Sequence, residues 1–403
     1  MRNTALYTLN WNQWLTCGAG ASLVLGASLP LRAQVSYSAT VLYSVNAPSG
    51  FDSQDVYSSV AGQSVGNAFE SEYNYSGHAL LWSGPSGSVI DLNPTALGFT
   101  SSRADATNGQ QQVGYGFTPE YPLGHALLWS GSAASAIDLN PPGFGSSIGY
   151  GMDATQQVGN GMPEANATGY SHALFWSGTA ASAVDLNPTG YAGSGALAVS
   201  GNQQVGSAVL NFPQGPGNQS QAFLWTGTAA SAVDLNPPGF SQSIADGTDG
   251  SQQVGYGDDT ATVGVEHAVL WNGTAASAVD LNPTGFIRSY AVATNGTDQV
   301  GYGYTTPNGG YQQALLWSGT AASAIDLQSL LPASGFWSLS TTYSIDSAGN
   351  VYGTAYGGYD GMSGEFAVEW SPVPEPGTFT LLATSAGGLL MRRKRSPIRG
   401  HGL

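Results

Sequence analysis

The sequence predicts an all-β fold, a seven-bladed β-propeller of four-stranded antiparallel blades, from three observations. An apolar run ending in Trp occurs seven times, at intervals of 46 to 53 residues. Each period contains four short segments with strand character, and the last period stops one segment short. The seven tryptophans are Trp82, Trp129, Trp176, Trp225, Trp271, Trp317 and Trp370.

The repeat around Trp271 shows the four segments most clearly. They are "SYAVA", "QVGYG", "HAVLW" and "SAVDL", and Asn-Gly or Asn-Pro breakers stand between them. Short runs rich in Val, Tyr, Trp and Leu between such breakers are typical of antiparallel strands. Four strands in about 47 residues are the content of one propeller blade. A β-solenoid is the alternative architecture, but its coils are shorter.

The two ends of the repeat region predict that the array closes into a ring. The last unit ends after "FAVEWS" with no "SAVDL" partner, whereas "ATVLYSVNAPSGF" at 39–51 precedes the first full unit and matches "SAVDLNPPGF". Pairing these segments removes the exposed edges of an open array. The "SYAVA" type is then the innermost strand, "SAVDL" is the outermost, and each Trp packs between adjacent blades.

Residues 1–34 have the pattern of a secretory signal peptide. Arg2 is followed by an apolar stretch from Trp14 to Pro30, and the small Ala33 is a cleavage position. The single cysteine, Cys17, lies inside this segment. We therefore expect the body at 35–372 to have no thiol chemistry.

Residues 373–403 form a second targeting segment in three parts. An uncharged stretch at 377–391 has 15 residues, which is short for a transmembrane helix. The basic cluster after it predicts that the C-terminus stays in the cytoplasm and that the body faces outward. The Pro-Glu-Pro motif and the basic cluster are Pro374, Glu375, Pro376, Arg392, Arg393, Lys394 and Arg395.

This order of motif, apolar helix and basic cluster resembles a bacterial PEP-CTERM sorting signal. The resemblance implies export in a Gram-negative bacterium and processing by exosortase-type sorting machinery, after a transient membrane association through 377–391. Such bacteria often make exopolysaccharide or biofilm. The body resembles the extracellular HAF repeat, on strands such as "HALLW" and "HALFW". That resemblance implies a propeller-like extracellular module with no assigned chemistry.

The charge of the body excludes nucleic acid as a partner. Only 8% of the chain is charged, and residues 35–372 hold 24 acidic groups against two basic ones, Arg103 and Arg288. A net charge of about −22 repels phosphate backbones. An acidic coat of this kind keeps an exported protein soluble.

Repeated histidines and aspartates have structural interpretations. His78, His125, His172 and His267 occupy one position in the repeat, so blade width separates them and they cannot share a metal ion. We expect them to form hydrogen bonds at the start of a strand. The Asp of each "DLN" is expected to satisfy turn amides. These are Asp91, Asp138, Asp185, Asp234, Asp280 and Asp326.

No catalytic residue, cofactor site or metal site is predicted. The alternative is calcium, held by Asp246, Asp249, Asp258 and Asp259 around one hairpin, although their spacing matches no EF-hand loop. The loops before each Trp strand vary in length and sequence and are predicted to share one face with the "NPTGF" crossings. Five tyrosines of this face form a candidate ligand rim that can stack on sugar rings. They are Tyr121, Tyr170, Tyr304, Tyr311 and Tyr356.

These observations favour an exported, non-enzymatic module that binds or organises a glycan or a protein of the cell envelope or extracellular matrix. One alternative is a polysaccharide-active enzyme with a propeller cleft. It requires carboxylates from different blades to meet in the axial funnel within roughly 5 to 10 Å. Another is an ice-binding or adhesion protein, for which ice binding requires a flat, Thr-rich array, whereas these loops are irregular.

Overall fold

The computed structural model describes residues 35–46, 48–71, 74–84, 87–120, 123–164, 169–210, 219–261, 264–306 and 310–373. The predicted signal peptide lies outside these residues. So do the apolar segment 377–391 and all seven residues of the predicted sorting signal. These seven are Pro374, Glu375, Pro376, Arg392, Arg393, Lys394 and Arg395.

The described chain forms seven four-stranded antiparallel sheets arranged as the blades of a propeller, as predicted, and the solenoid alternative is excluded. Blade 1 contains β2 (Ser53–Val60), β3 (Gln63–Ser71), β4 (Asn74–Ser83) and β5 (Ser88–Asp91). Blade 2 contains β6 (Ser101–Thr107), β7 (Gln112–Phe117), β8 (His125–Trp129) and β9 (Ile137–Asp138). Blade 3 contains β10 (Phe144–Met152), β11 (Gln157–Pro163), β12 (His172–Trp176) and β13 (Val184–Asp185).

The remaining blades repeat this order. Blade 4 contains β14 (Tyr191–Ser200), β15 (Gln203–Leu210), β16 (Ser220–Trp225) and β17 (Val233–Asp234). Blade 5 contains β18 (Phe240–Thr248), β19 (Gln253–Asp259), β20 (Val265–Trp271) and β21 (Val279–Asp280). Blade 6 contains β22 (Arg288–Thr294), β23 (Gln299–Tyr304), β24 (Gln313–Trp317) and β25 (Ile325–Asp326). Blade 7 contains β26 (Phe336–Ile345), β27 (Val351–Tyr359), β28 (Met362–Val373) and, from the start of the body, β1 (Ser36–Val45).

The ring closes through β1, as the sequence predicted. β1 pairs antiparallel with β28, with Ala39 opposite Trp370 and Val45 opposite Glu365. The inner strands also join blades 7 and 1, because the Tyr343 hydroxyl donates to the Val56 carbonyl at 3.0 Å. The chain thus supplies the missing outer strand of its last blade from its beginning.

The first strand of each blade is the innermost one, and each inner strand contacts its two neighbours around the ring. The seven repeat tryptophans are fully buried. Trp129 of blade 2, for example, packs with Val65 and Leu81 of blade 1. Truncation of such a side chain costs about 3 to 5 kcal/mol. The tryptophans are therefore the main apolar contacts between blades.

A buried serine hydroxyl connects each of six blades to the next. In one copy the Ala126 amide of blade 2 donates to Ser147 Oγ of blade 3 at 3.0 Å, and that hydroxyl donates to Asn140 Oδ1 at 2.8 Å. We call this arrangement the serine latch. The Asn140 side-chain amide in turn donates to the Phe144 carbonyl at 2.8 Å. The latch serines are Ser102, Ser147, Ser194, Ser243, Ser289 and Ser340.

The segment "GTAASAVDLNP" occurs letter for letter at 178–188, 227–237 and 273–283, and contacts within each blade explain this identity. In the copy at 178–188, Gly178 has φ 79°, which favours glycine, and its amide donates to Gln157 of the second strand. Residues Ala180–Ser182 form a 3₁₀ turn, fixed by the Ser182 hydroxyl on the Thr179 carbonyl. Leu186 is fully buried, and Asn187 accepts the latch serine. Most positions of this segment therefore make a contact that a substitution would remove.

Seven short 3₁₀ turns, including the one just described, are the only helical elements among the described residues. They are Thr95–Leu97, Ala133–Ser135, Ala180–Ser182, Ala229–Ser231, Ala275–Ser277, Ala321–Ser323 and Gln328–Leu330. No helix within the described ranges is long and apolar enough to span a membrane.

A Val recurs in the second strand of the repeats, at Val65, Val113, Val158, Val205, Val254 and Val300, and alignment of the repeats predicts Val351 for it in the last blade. The same alignment predicts Glu365 where the third strand of the other blades begins with His or Gln. The structure shifts both positions by one residue. Trp370 pairs with Val351, whereas Trp129 pairs with Gln112, so Tyr352 rather than Val351 occupies the position of the repeated Val. By the same register Phe366, not Glu365, stands where the other blades have His or Gln. A longer β27–β28 hairpin allows this shift without loss of pairing.

The serine latch predicts a specific cost for its removal. Ser147→Ala leaves the buried Ala126 amide and Asn140 Oδ1 without their shared partner, so we expect the free energy of unfolding to fall by about 1 to 3 kcal/mol. Urea denaturation followed by tryptophan fluorescence measures this. Ser177→Ala, on an exposed turn, is the control and should change stability by less than about 0.5 kcal/mol. Equal effects of the two substitutions would contradict the latch.

Candidate functional site

The inner strands carry a β-bulge at the same position in all seven blades. In blade 2, for example, Ala104 and Ala106 both pair in register with β7 while Asp105 between them has no partner. The seven bulged residues line one cavity on the propeller axis, with a volume of about 700 Å³. We call these residues the axial ring. They are Tyr57, Asp105, Tyr150, Leu197, Asp246, Val292 and Tyr343.

The residue after each bulge is small because the next blade passes close to it. A Cβ on Gly151 would stand 2.2 Å from the Leu197 carbonyl oxygen, and one on Gly247 would stand 2.4 Å from that of Val292. Such approaches exclude a larger side chain without backbone movement. Small residues thus accommodate the crowding near the axis. The close approach of neighbouring backbones also fixes the position of each bulged side chain.

Asp246 places an unpartnered carboxyl in the axial cavity. No hydrogen bond to its side chain occurs among the described residues, and Tyr256 and Tyr302 line the cavity with it. Burial raises the pKa of Asp246 to about 7 and that of Tyr256 to about 12. The carboxyl lies deep in the molecule yet remains partly open to water through the cavity. It can donate a hydrogen bond near neutral pH, which an ionised carboxylate cannot.

Asp105 has a different environment, since an arginine accompanies it. The Arg103 guanidinium donates to Asp105 Oδ1 from Nε at 2.8 Å and from Nη2 at 2.6 Å. Its central carbon also lies 3.8 Å from the centroid of the Tyr57 ring, a cation–π geometry. Burial raises the pKa of Asp105 to about 6 although Arg103 lowers it. Asp105 Oδ2 is buried and has no partner in the described part of the chain.

A third carboxyl lies at the junction of blades 7 and 1. Burial raises the pKa of Glu365 to about 7, the hydrogen bond to Thr354 opposes that rise, and the nearby charge of Asp55 adds to it. Thr354 also shares a 3.2 Å hydrogen bond with the Tyr343 hydroxyl. Glu365 therefore lies behind the axial ring, whereas Asp105 and Asp246 belong to it.

The candidate ligand rim is dispersed in the structure. Tyr170 lines a cleft between blades 3 and 4, and Tyr304 belongs to a cluster of tyrosines and donates to Gln312 at 3.0 Å. Tyr311 is 70% exposed and Tyr356 is 52% exposed. Tyr121 lies outside the described residues. The rim thus contains two accessible rings, on blades 6 and 7, and two that pack against their own or a neighbouring blade.

The histidine and aspartate predictions are confirmed as structural contacts. In each of four blades a histidine Nδ1 lies within hydrogen-bond distance of the "DLN" aspartate, at 2.7 to 2.9 Å. The other carboxylate oxygen accepts the amide two residues on, as Asp138 does from Asn140 at 2.8 Å. The hydrogen bond to Asp280 raises the pKa of His267. These pairs fasten the short outer strand to its neighbour.

The four aspartates of the calcium alternative contact different partners at different places in the blade. Asp246 is in the axial ring, whereas Asp249 accepts the amides of Ser251 and Gln252 at the opposite end of the hairpin from Asp259. Asp258 accepts from Gln242, and Asp259 accepts the Ala261 amide. No group of three or more His, Cys, Asp or Glu side chains that could hold a metal ion occurs among the described residues.

Sequence reasoning missed the axial ring, although the sequence contains its signal. The inner strands align as "SRADAT", "SIGYGM", "SIADGT" and "SYAVAT", and one position takes Asp, Tyr, Asp and Val while its neighbours stay small. A position that varies inside a copied framework indicates a specialised site. The side chain at this position faces the axis because of the β-bulge, which the sequence does not reveal.

Comparison with known proteins supports the fold. No family model matches this chain, and no curated protein matches its sequence. The β-propeller domain of the Trilobed protease from Pyrococcus furiosus, which has an open velcro topology, is similar with a TM-score of 0.51. It is 8% identical, over 78% of this chain and 97% of that one. The polysaccharide lyase Uly1 gives a TM-score of 0.46 at 7% identity, over 81% of this chain and 90% of that one.

A third solved structure is the acylaminoacyl peptidase of Pyrococcus horikoshii, with a TM-score of 0.48 and 10% identity. It covers 86% of this chain, and the match spans 54% of that longer protein. Of these three, the propeller domain with a TM-score of 0.51 supports the architecture, and its 8% identity shows the fold alone. The chemistry of these enzymes therefore does not transfer to the axial cavity.

The raised pKa of Asp246 predicts a pH-dependent cost to stability. Burial raises the pKa of this carboxyl from its ordinary value of 3.8 to about 7 in the folded protein, so above pH 4 the unfolded chain loses this proton more readily than the folded one. Stability then falls as pH rises from 4 to 7. We expect Asp246→Asn to raise the free energy of unfolding at pH 8 by roughly 2 kcal/mol and by much less at pH 4.

Denaturant unfolding of both proteins at pH 4, 6 and 8 measures this difference. Asp360→Asn, on an exposed turn, is the control and should leave stability unchanged at each pH. If Asp246→Asn raised the free energy of unfolding by the same amount at all three pH values, the Asp246 carboxyl would not titrate in this range.

Proposed function

We propose that this protein is an exported, exosortase-sorted propeller that binds glycan of the cell envelope or extracellular matrix without chemically altering it. One observation carries the proposal. The framework of the seven blades is nearly identical, but the axial ring is not, because it presents three tyrosines, two aspartates, a leucine and a valine to one cavity. A purely structural ring would repeat its residues as the framework does.

The composition of the cavity supports a polyhydroxyl ligand. Ligand pockets of about 300 to 1,000 Å³ combine apolar walls with a few polar groups that fix orientation. Here aromatic rings offer faces for the C–H surfaces of a sugar, while Asp246 and the tyrosine hydroxyls can exchange hydrogen bonds with its hydroxyls. A body charge of about −22 opposes anionic ligands. Neutral saccharides are therefore the class that this cavity fits best.

Localisation follows from the predicted segments at both ends of the chain. The signal peptide at 1–34 directs export, and the Pro-Glu-Pro motif with its basic cluster directs processing by sorting machinery. A body at the cell surface then meets exopolysaccharide directly. Tyr311 and Tyr356, the two exposed rings of the candidate rim, can contact such a polymer.

A saccharide array tests the proposal. We expect the purified protein to bind at least one neutral glucan, galactan or mannan, with weaker binding to uronate-containing polymers because of charge repulsion. Raising the salt concentration should narrow the difference between neutral and anionic polymers. Absence of binding to every polysaccharide on the array would contradict the proposed function.

The second candidate function is a polysaccharide-active enzyme, which the raised pKa values of Asp105 and Asp246 favour. Asp246 would act as general acid and Asp105 as the second carboxylate. The two residues belong to blades 2 and 5, three of seven steps apart around the ring. Release of reducing ends from a bound polysaccharide, abolished in Asp246→Asn, would establish this function. A bound polymer that stays intact excludes it.

A further inference from the structure

The cleft between blades 1 and 2 opens beside the axial cavity, and Tyr57 lines both. Its volume is about 360 Å³, enough for a single sugar ring. Phe69 of blade 1 and Phe117 of blade 2 contribute aromatic walls, and Tyr115 and Arg103 complete the side nearer the axis. We call this space the blade 1–2 cleft.

The cleft contains a buried acceptor without a donor. Asn67 is 4% exposed and lines the cleft, and its Oδ1 has no hydrogen-bond partner among the described residues. Leaving a buried acceptor unsatisfied costs about 1 to 3 kcal/mol. Because Asn67 lines the cleft, a bound molecule can supply the donor that the described residues do not. A ligand hydroxyl donating to Asn67 removes the penalty.

Arg103 gives the cleft a rigid and electrically neutral wall. Its guanidinium donates twice to Asp105 and lies over the Tyr57 ring. These contacts fix the position of the guanidinium, and the carboxylate of Asp105 balances its charge. An anionic group would have to compete with Asp105 for the arginine. The cleft therefore favours an uncharged ring over a carboxylate or phosphate.

The corresponding space between blades 5 and 6 is filled by the protein itself. Tyr256, Tyr290 and Tyr302 pack there with ring centroids 4.9 to 5.0 Å apart. Tyr256 and Tyr302 occupy the same register position as Asn67, two residues after the repeated Val. The fold can thus close this space with a large side chain, and blade 1 instead has a short amide.

From these contacts we propose that the blade 1–2 cleft binds one uncharged saccharide ring of the glycan. Asn67 Oδ1 accepts a hydrogen bond from a hydroxyl of that ring, and Phe69 packs against its C–H face. This inference rests on the proposed function and adds a defined subsite to it. The cleft continues from the axial cavity past Tyr57, so one polysaccharide chain can occupy both.

The substitution Asn67→Leu tests the subsite, because leucine has a similar size and cannot accept a hydrogen bond. Binding of laminarihexaose, maltoheptaose and mannohexaose to the full-length protein is measured by calorimetry. For the saccharides that bind the wild type, we expect affinity to fall at least tenfold, while the melting temperature stays the same or rises since the unsatisfied acceptor is gone. A structural amide would instead lose stability on this change.

Two further variants make the result specific. Phe69→Leu removes the aromatic face but keeps the wall apolar, and it should also weaken binding. Asn272→Leu makes the same asparagine-to-leucine change on an exposed turn after Trp271, away from the residues that line the axial cavity and the blade 1–2 cleft, and should bind as the wild type does. Wild-type affinity in both Asn67→Leu and Phe69→Leu would overturn the subsite while the proposed function stands. A wild-type protein that binds no saccharide overturns both.

Discussion

Closure of the ring is the constraint on which the rest of the structure depends. The last blade lacks an outer strand, and β1 supplies it by pairing along β28. An unpaired edge here would expose a row of backbone amides and carbonyls in a sheet whose other edge already forms the axis. Closure also brings Tyr343 of blade 7 onto Val56 of blade 1. The axial cavity exists only because this last junction holds.

Within the closed ring, stability and recognition use different residues. The tryptophans, the serine latch and the histidine–aspartate pairs occupy repeated positions, and each contact recurs from blade to blade with nearly the same geometry. The axial ring and the blade 1–2 cleft hold the exceptions, including unpartnered oxygens on Asp105 and Asn67. Asp105 lines the axial cavity and Asn67 lines the blade 1–2 cleft, so both residues border spaces that a ligand can enter.

The sequence predicted most of the fold because the repeat shows it seven times. The period of the tryptophans gave the number of blades, the breakers gave four strands per blade, and the displaced segment at 39–51 gave the closure. Two positions in the last blade were misaligned, since β27 and β28 extend into a longer hairpin that shifts Tyr352 and Phe366 into repeat positions. Local patterns do not reveal a register change of one residue.

The candidate site was less accessible to sequence reasoning. Variable loops predict the tyrosine rim, yet Tyr170 and Tyr304 pack into the framework, and the axial ring lies at bulges of the inner strands. A bulge rotates one side chain of each inner strand into the cavity, and no residue type marks a bulge of this kind. Three-dimensional register was needed to recognise that Asp105 and Asp246 share a cavity with tyrosines from other blades.

The most direct measurement is saccharide binding by a variant whose axial ring is made more uniform. Tyr150→Leu with Asp246→Val gives blades 3 and 5 the side chains that Leu197 and Val292 already provide at that position. We expect this double variant to fold with a melting temperature no lower than that of the wild type and to lose saccharide binding at least tenfold. Retention of wild-type affinity by the folded variant would contradict the claim that asymmetry of the axial ring carries recognition.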